Sequence, residues 1–129
     1  MSPKNSKYFT KIFFKIKKNN FLKLLNISNC FFKKTLVIFW KKYKDSEQPL
    51  KSWYDEAINA NWKTPSDIKA HYKSASFVGN NRVIFNIAGN KYRLITAVAY
   101  QFGAIYIKFI GTHRQYDNVD VLKIGSEGV

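Results

Sequence analysis

The chain holds one dense run of reactive side chains, Gly111-Thr112-His113-Arg114-Gln115-Tyr116-Asp117. An imidazole, a guanidinium, a phenol and a carboxylate fall together there, just after a β-rich stretch. An imidazole accepts or donates a proton near neutral pH. A phenol can donate to a leaving oxygen or stack on a base. A His–Tyr pair also serves purely structural ends, so the cluster by itself leaves both uses open. Strand parity would turn His113 toward the Tyr92 side, but the strand is ending there and the direction stays open.

The elements that must position this run show period-two alternation. Arg82–Ala88, Lys91–Gln101 and Ala104–Thr112 are rich in Val, Ile, Tyr, Phe and Thr and read as strands. Gly89-Asn90 fits a two-residue type II′ hairpin loop with Gly first. That loop pairs Ala88 with Lys91, Ile87 with Tyr92, Asn86 with Arg93 and Phe85 with Leu94. Paired residues share a face, and faces alternate along a strand. Val83, Phe85, Ile87, Tyr92, Leu94, Thr96, Val98 and Tyr100 then form an apolar face for helices. The opposite face collects Arg82, Ile84, Asn86, Ala88, Lys91, Arg93, Ile95, Ala97 and Ala99. A second two-residue loop at Phe102-Gly103 would pair Ala97 with Lys108 and Arg93 with Thr112, adding Lys108 to that face. Four cations and the Asn86 amide on one open surface suit phosphate, with Arg forks gripping two oxygens and Lys adding point charge. An ordinary solvated sheet face is the other reading.

Helices come first in the chain. Leu36, Phe39, Trp40 and Tyr43 recur at i, i+3, i+4 and i+7, one helical face. Asp45 with Gln48 resembles a capping box for a second helix, striped by Leu50, Trp53, Tyr54, Ala57 and Ile58 and ending near Asn61. Thr64-Pro65-Ser66-Asp67 opens a third helix through about Tyr72. A further short strand around Asn26–Phe31 is expected at a sheet edge. With no crossover helix between strands, the sheet should be largely antiparallel. The fold class is therefore α+β, two to three N-terminal helices packed on one face of a small sheet. Trp40, Trp53 and Trp62 read as packing residues, His71 as a helix C-terminal residue and Cys30 as a small apolar one.

Charge and composition narrow the function classes. The 129 residues carry a net charge of +14, and one cysteine excludes an internal disulfide framework. Two histidines leave little material for a metal cluster, and no apolar run approaches the roughly 18 residues of a membrane span. Residues 1–44 hold twelve lysines and no acid, while residues 45–129 sum to only +2. Residues 1–25 read as a basic low-complexity extension, and residues 26–129 as the folded domain. The extension could be an accessory arm, upstream sequence from an early start codon, or a cationic segment meeting RNA or an anionic membrane. Lysines interrupt its apolar blocks, which does not suit a secretory signal.

The ordered series Asn80-Asn81-Arg82-Val83-Ile84-Phe85-Asn86-Ile87, Gly89-Asn90-Lys91-Tyr92-Arg93-Leu94, Gly111-Thr112-His113 and Tyr116-Asp117 resembles the HigB toxins of the RelE superfamily. Thr35–Trp40 and Pro49–Glu56 look like that family's helical half, so the resemblance runs from about Lys33 to Asp120. It implies a RelE-like fold and a cytoplasmic toxin of a type II toxin–antitoxin system, an endoribonuclease that cuts mRNA on the ribosome. The family's chemistry needs no metal or other cofactor: the RNA 2′-OH attacks the adjacent phosphate, leaving a cyclic phosphate and a 5′-OH. The resemblance makes Arg93, His113, Tyr116 and Lys91 the catalytic candidates. It makes Arg82, Asn86, Lys108 and Arg114 RNA-binding candidates, with Asp117 orienting His113 or Arg93. Which of His113 and Tyr116 acts as acid or base stays open. It also implies a cognate helix-turn-helix antitoxin, HigA-like, and no membrane partner. The chain departs from the family at Ala88, where a basic residue or glycine is common. The alternative is a catalytically inactive module of the same fold that binds RNA, the ribosome or the antitoxin.

Overall fold

No glycine or proline interrupts the chain between Asn26 and Lys42, and this stretch forms one helix, α1 (Asn26–Lys42). The computed structural model describes residues 16–17 and 26–125, with side chains from residue 34 onward. The strand expected around Asn26–Phe31 is thus helix. Once nucleated at the Leu36 stripe, a helix propagates through residues lacking a breaker. Cys30 falls on this helix, its side chain outside the described ones.

A 3-10 turn, Lys44–Ser46, leads into α2 (Glu47–Asn59), and Thr64 caps α3 (Pro65–His71). The capping box at Thr64 forms as its sequence requires, with Asp67 accepting from the backbone N–H of Lys63 and Thr64 at 2.9 and 3.0 Å. The one expected at Asp45 does not. Ser46 occupies the cap position, and the Asp45 carboxylate is drawn instead to Lys91 and Tyr92. A full cation and a phenol outcompete a backbone N–H that solvent can reach.

Five strands follow the order β1-β5-β4-β3-β2, every pair antiparallel. They are β1 (Ile16–Lys17), β2 (Ser76–Val78), β3 (Arg82–Ile87), β4 (Tyr92–Ala99) and β5 (Ala104–Thr112). The β3–β4 register is the expected one, with Ile87 opposite Tyr92 and Asn86 opposite Arg93. Gly89 takes φ +69° in the turn, as a Gly-first loop needs. Ala88, with φ +55°, also lies in the left-handed region.

The β4–β5 register is not the expected one. Ala99 pairs with Ala104 across a four-residue connection that contains a 3-10 turn and Gly103 at φ +61°. Ala97 consequently faces Tyr106, and Arg93 faces Gly111. A bulge makes up the difference, with Thr96 opposite Ile107 and Ile95 opposite Phe109, so Lys108 is the extra residue. The bulge satisfies both faces: Ile107 and Ile110 go to the helical side and Phe109 to the other.

The main core lies between the helices and the face bearing Val83, Phe85, Ile87, Tyr92, Leu94 and Val98. Trp53 is 1% exposed and meets Phe85 edge-on at 5.4 Å, and Trp40 and Trp62 are buried beside them. Burying each such side chain contributes about 1.5–3 kcal/mol. The opposite sheet face is not open. Ile84, Ile95 and Phe109 form a second cluster there with Ile124, lined by Tyr116, Val119 and Val121. The segment after β5 folds back over this face, which three large apolar side chains would otherwise leave wet. None of the described helices is long and apolar enough to cross a membrane.

Candidate functional site

Strand β5 ends where Thr112 caps a single helical turn, α4 (His113–Tyr116). Thr112 Oγ1 accepts from the Gln115 N–H at 3.1 Å, and Gln115 Oε1 accepts from the Thr112 N–H at 2.9 Å. The His113 N–H donates to the Lys91 carbonyl at 3.0 Å, tying α4 to the β3–β4 turn. This cap turns the chain out of the strand, which resolves the direction of His113. Its ring stands half exposed, with Nδ1 3.4 Å from Asp117 Oδ2. Strand parity does not apply to it.

Arg93 lies between Asn86 on β3 and Gly111 on β5. Its guanidinium donates to Asn90, at 3.0 Å to the carbonyl and 3.1 Å to the side-chain oxygen. The Tyr116 ring covers it at 5.6 Å, and the His113 ring meets Tyr116 edge-on at 6.3 Å. Gly111 makes this packing possible. A Cβ there would strike the Phe109 ring and lie 2.8 Å from Gln115 Oε1. Arg93, Asn86, Tyr116, His113 and Asp117 therefore share one corner of the sheet, and Arg114 is exposed on the same short turn.

The other candidates are held elsewhere. Arg82 is buried and donates to the Ile124 carbonyl at 2.6 Å, while Lys108 Nζ lies 3.4 Å from the Gly125 carbonyl. Both occupy the expected face, but beneath the returning C-terminal segment instead of on an open surface. Arg82 stands four residues from Asn86, about 13 Å along the strand. Lys91 turns toward the helical layer, its Nζ 2.6 Å from Asp45 Oδ2. The other Asp45 oxygen accepts from the Tyr92 hydroxyl. These bonds, from Lys91 first and Tyr92 second, hold the Asp45 carboxyl below the usual aspartate range. Burial, then the bond to Asp45, pushes the Tyr92 phenol up to about 12.

Asn90 and Asp45 are the partners that sequence reasoning missed. Asn90 stood in the turn three residues before Arg93, within reach of it, and read only as a turn former. Asp45 read as a cap, and nothing local in the sequence pointed to Lys91. His71 ends α3 as expected, beside Trp62 and Tyr72 and 3.8 Å from a Glu56 oxygen.

A helical layer on one face of a small antiparallel sheet is an α+β build consistent with a RelE-like toxin. The sequence model of the HigB toxins, described as the RelE-like toxic component of a toxin–antitoxin system, matches residues 46–119. The chain belongs to the HigB toxin family and is the toxin component of such a system. No curated protein matches it closely enough to be named as a relative.

Proposed function

We propose that this toxin is a ribosome-dependent endoribonuclease that arrests translation by cutting mRNA through attack of the RNA 2′-OH. The observation that supports this most is the contact of Arg93 with Tyr116, and of Tyr116 with His113, at one corner of the sheet where Arg93 is buried and His113 is exposed. Cleavage breaks the bond from phosphorus to the 5′ oxygen while the 2′ oxygen bonds to phosphorus. A base takes the 2′ proton, a cation stabilises the phosphorane oxygens, and an acid protonates the leaving 5′ oxygen. Arg93, preset by Asn90, supplies the cation. His113, with Asp117 beside it, and Tyr116 supply the proton-transfer pair. Asn86, Arg114 and Lys91 contact RNA around them, whereas Arg82 and Lys108 serve the site through the C-terminal segment they hold. The reaction so written uses no metal or cofactor.

The setting is the cytoplasm, on translating ribosomes, with a HigA-like helix-turn-helix antitoxin as the neutralising partner. Residues 1–25 are an extension to a toxin domain of residues 26–129, with β1 lying along the edge of the domain's sheet. Deleting residues 1–25 should leave activity and folding in place.

The decisive experiment supplies the full chain to translating ribosomes and maps mRNA ends. New 5′-OH ends are expected, reduced about 10²-fold or more by Arg93→Ala or His113→Ala. RNA binding and antitoxin binding without new ends, unchanged by His113→Ala, would instead establish the inactive binding module.

A further inference from the structure

Lysines crowd the junction of α1 and α2: Lys41, Lys42 and Lys44 are exposed and make no ion pair among the described residues. Asp45 stands in their midst, yet its partner is Lys91, forty-six residues away on the sheet. Of the described ion pairs, this one joins the helical layer to the sheet. Tyr92 fixes the carboxylate from the other side, its own ring wedged against Phe39 and Tyr43 at 5.4 Å each. The Lys91 side chain is 65% exposed, so its ammonium remains within reach of a ligand.

The turn that carries Lys91 also carries the site. Asn90 holds Arg93, and the Lys91 carbonyl holds the His113 N–H. Lys91 stands two residues before Arg93, with its ammonium on the helical side of that turn. A carboxylate oxygen at 2.6 Å offers it the same anionic acceptor that a phosphate oxygen would. We propose that Asp45 is the resident counter-ion of Lys91, an affinity-setting residue that an RNA phosphate displaces on binding. The exchange leaves Asp45 on the Tyr92 hydroxyl and costs RNA affinity by the strength of one exposed ion pair. This inference rests on the reading of the corner as an RNA site, with Lys91 among its contacts.

The test measures binding of the full chain to a labelled single-stranded 2′-O-methyl RNA, which lacks the nucleophile and stays intact, free and on ribosomes. Asp45→Asn is expected to tighten binding about two- to fivefold, the range of an exposed ion pair. Asp45→Ser should do the same, should the first variant fold poorly. Tyr92→Phe, which removes the other bond to Asp45 and spares Lys91, should leave affinity unchanged. In a Lys91→Ala background Asp45→Asn should change nothing. A purely structural Asp45 predicts the opposite sign, weaker binding in Asp45→Asn and Tyr92→Phe alike, and that result overturns the proposal. Equal tightening with and without Lys91 also overturns it, because it reports only a repulsive charge. If Lys91→Ala alone leaves affinity intact, Lys91 contacts no RNA, and the reading beneath the proposal fails with it.

Discussion

The Arg93 guanidinium carbon lies 5.6 Å from the centre of the Tyr116 ring, so the phenol is held by the cation that would stabilise a phosphorane. Packing and proton transfer are separable at this residue. Tyr116→Phe keeps the ring over Arg93 and removes the proton. It should leave stability within about 0.5 kcal/mol and RNA affinity unchanged, while cleavage falls about 10²-fold or more. Tyr116→Leu should lose affinity as well, because Arg93 loses its cover. Single-turnover cleavage beside an urea titration reads both effects, and full activity in Tyr116→Phe would reduce the residue to packing.

Arg82 should behave as a structural residue although the sequence put it among phosphate contacts. It is 4% exposed and its bond to the Ile124 carbonyl fastens the C-terminal segment over β3. Arg82→Met keeps much of the apolar stem and leaves a buried carbonyl without that donor. A loss of about 1–3 kcal/mol is expected, read by urea unfolding, with RNA affinity of the folded protein within about twofold. Weakened RNA binding at unchanged stability would return Arg82 to the phosphate set.

Two backbone positions give opposite predictions. Gly111 faces Arg93, and a Cβ there collides with the Phe109 ring and with Gln115, whose side chain completes the cap on Thr112. Gly111→Ala should lower stability by about 1–3 kcal/mol and displace α4, cutting cleavage more than a cavity elsewhere of equal energy. Ala88, at φ +55°, pays for its side chain with left-handed backbone. Ala88→Gly should therefore raise stability by up to about 1 kcal/mol. Thermal melts of the two variants against the unaltered chain decide both.

How much of this could be read beforehand depended on how local the signal was. The β3–β4 register was legible because Gly89-Asn90 and the alternation from Val83 to Val98 agree. The β4–β5 register was not, since a four-residue connection and a bulge at Lys108 shift the pairing, and the bulge breaks the period of two between Ile107 and Ile110. The β2 strand escaped notice at three residues, although Gly79-Asn80-Asn81 behind it marked a turn; both asparagines take positive φ. The cluster from His113 to Asp117 was legible by composition, but the direction of His113 came from a cap between Thr112 and Gln115. The cover over Arg82 and Lys108 has no local signal in the sequence. Val119, Val121 and Ile124 look like a tail in sequence, and only the apolar trio Ile84, Ile95 and Phe109 gives them a destination.

The Asp45–Tyr92 pair makes stability depend on pH at both ends of the scale. Hydrogen bonds from Lys91 and Tyr92 lower the Asp45 pKa in the fold. That contribution is present above the ordinary aspartate range and is lost as pH falls through it, below about 4. Tyr92 works the other way, because burial and the Asp45 bond raise its pKa to about 12. Its contribution is complete below the phenol's ordinary value of about 10 and disappears as pH rises toward the folded one. Asp67, held low by backbone N–H groups, adds to the acid limb, and Tyr72, raised by burial and Glu56, adds to the alkaline limb. Melting temperature against pH should therefore fall off on both sides of a plateau. Asp45→Asn should flatten part of both limbs at once, since one carboxylate shapes both groups. Tyr92→Phe should flatten the alkaline limb strongly and the acid limb in part, because the bond from Lys91 to Asp45 stays. If Asp45→Asn alters the acid limb alone, the phenol owes its shift to burial without help from the carboxylate.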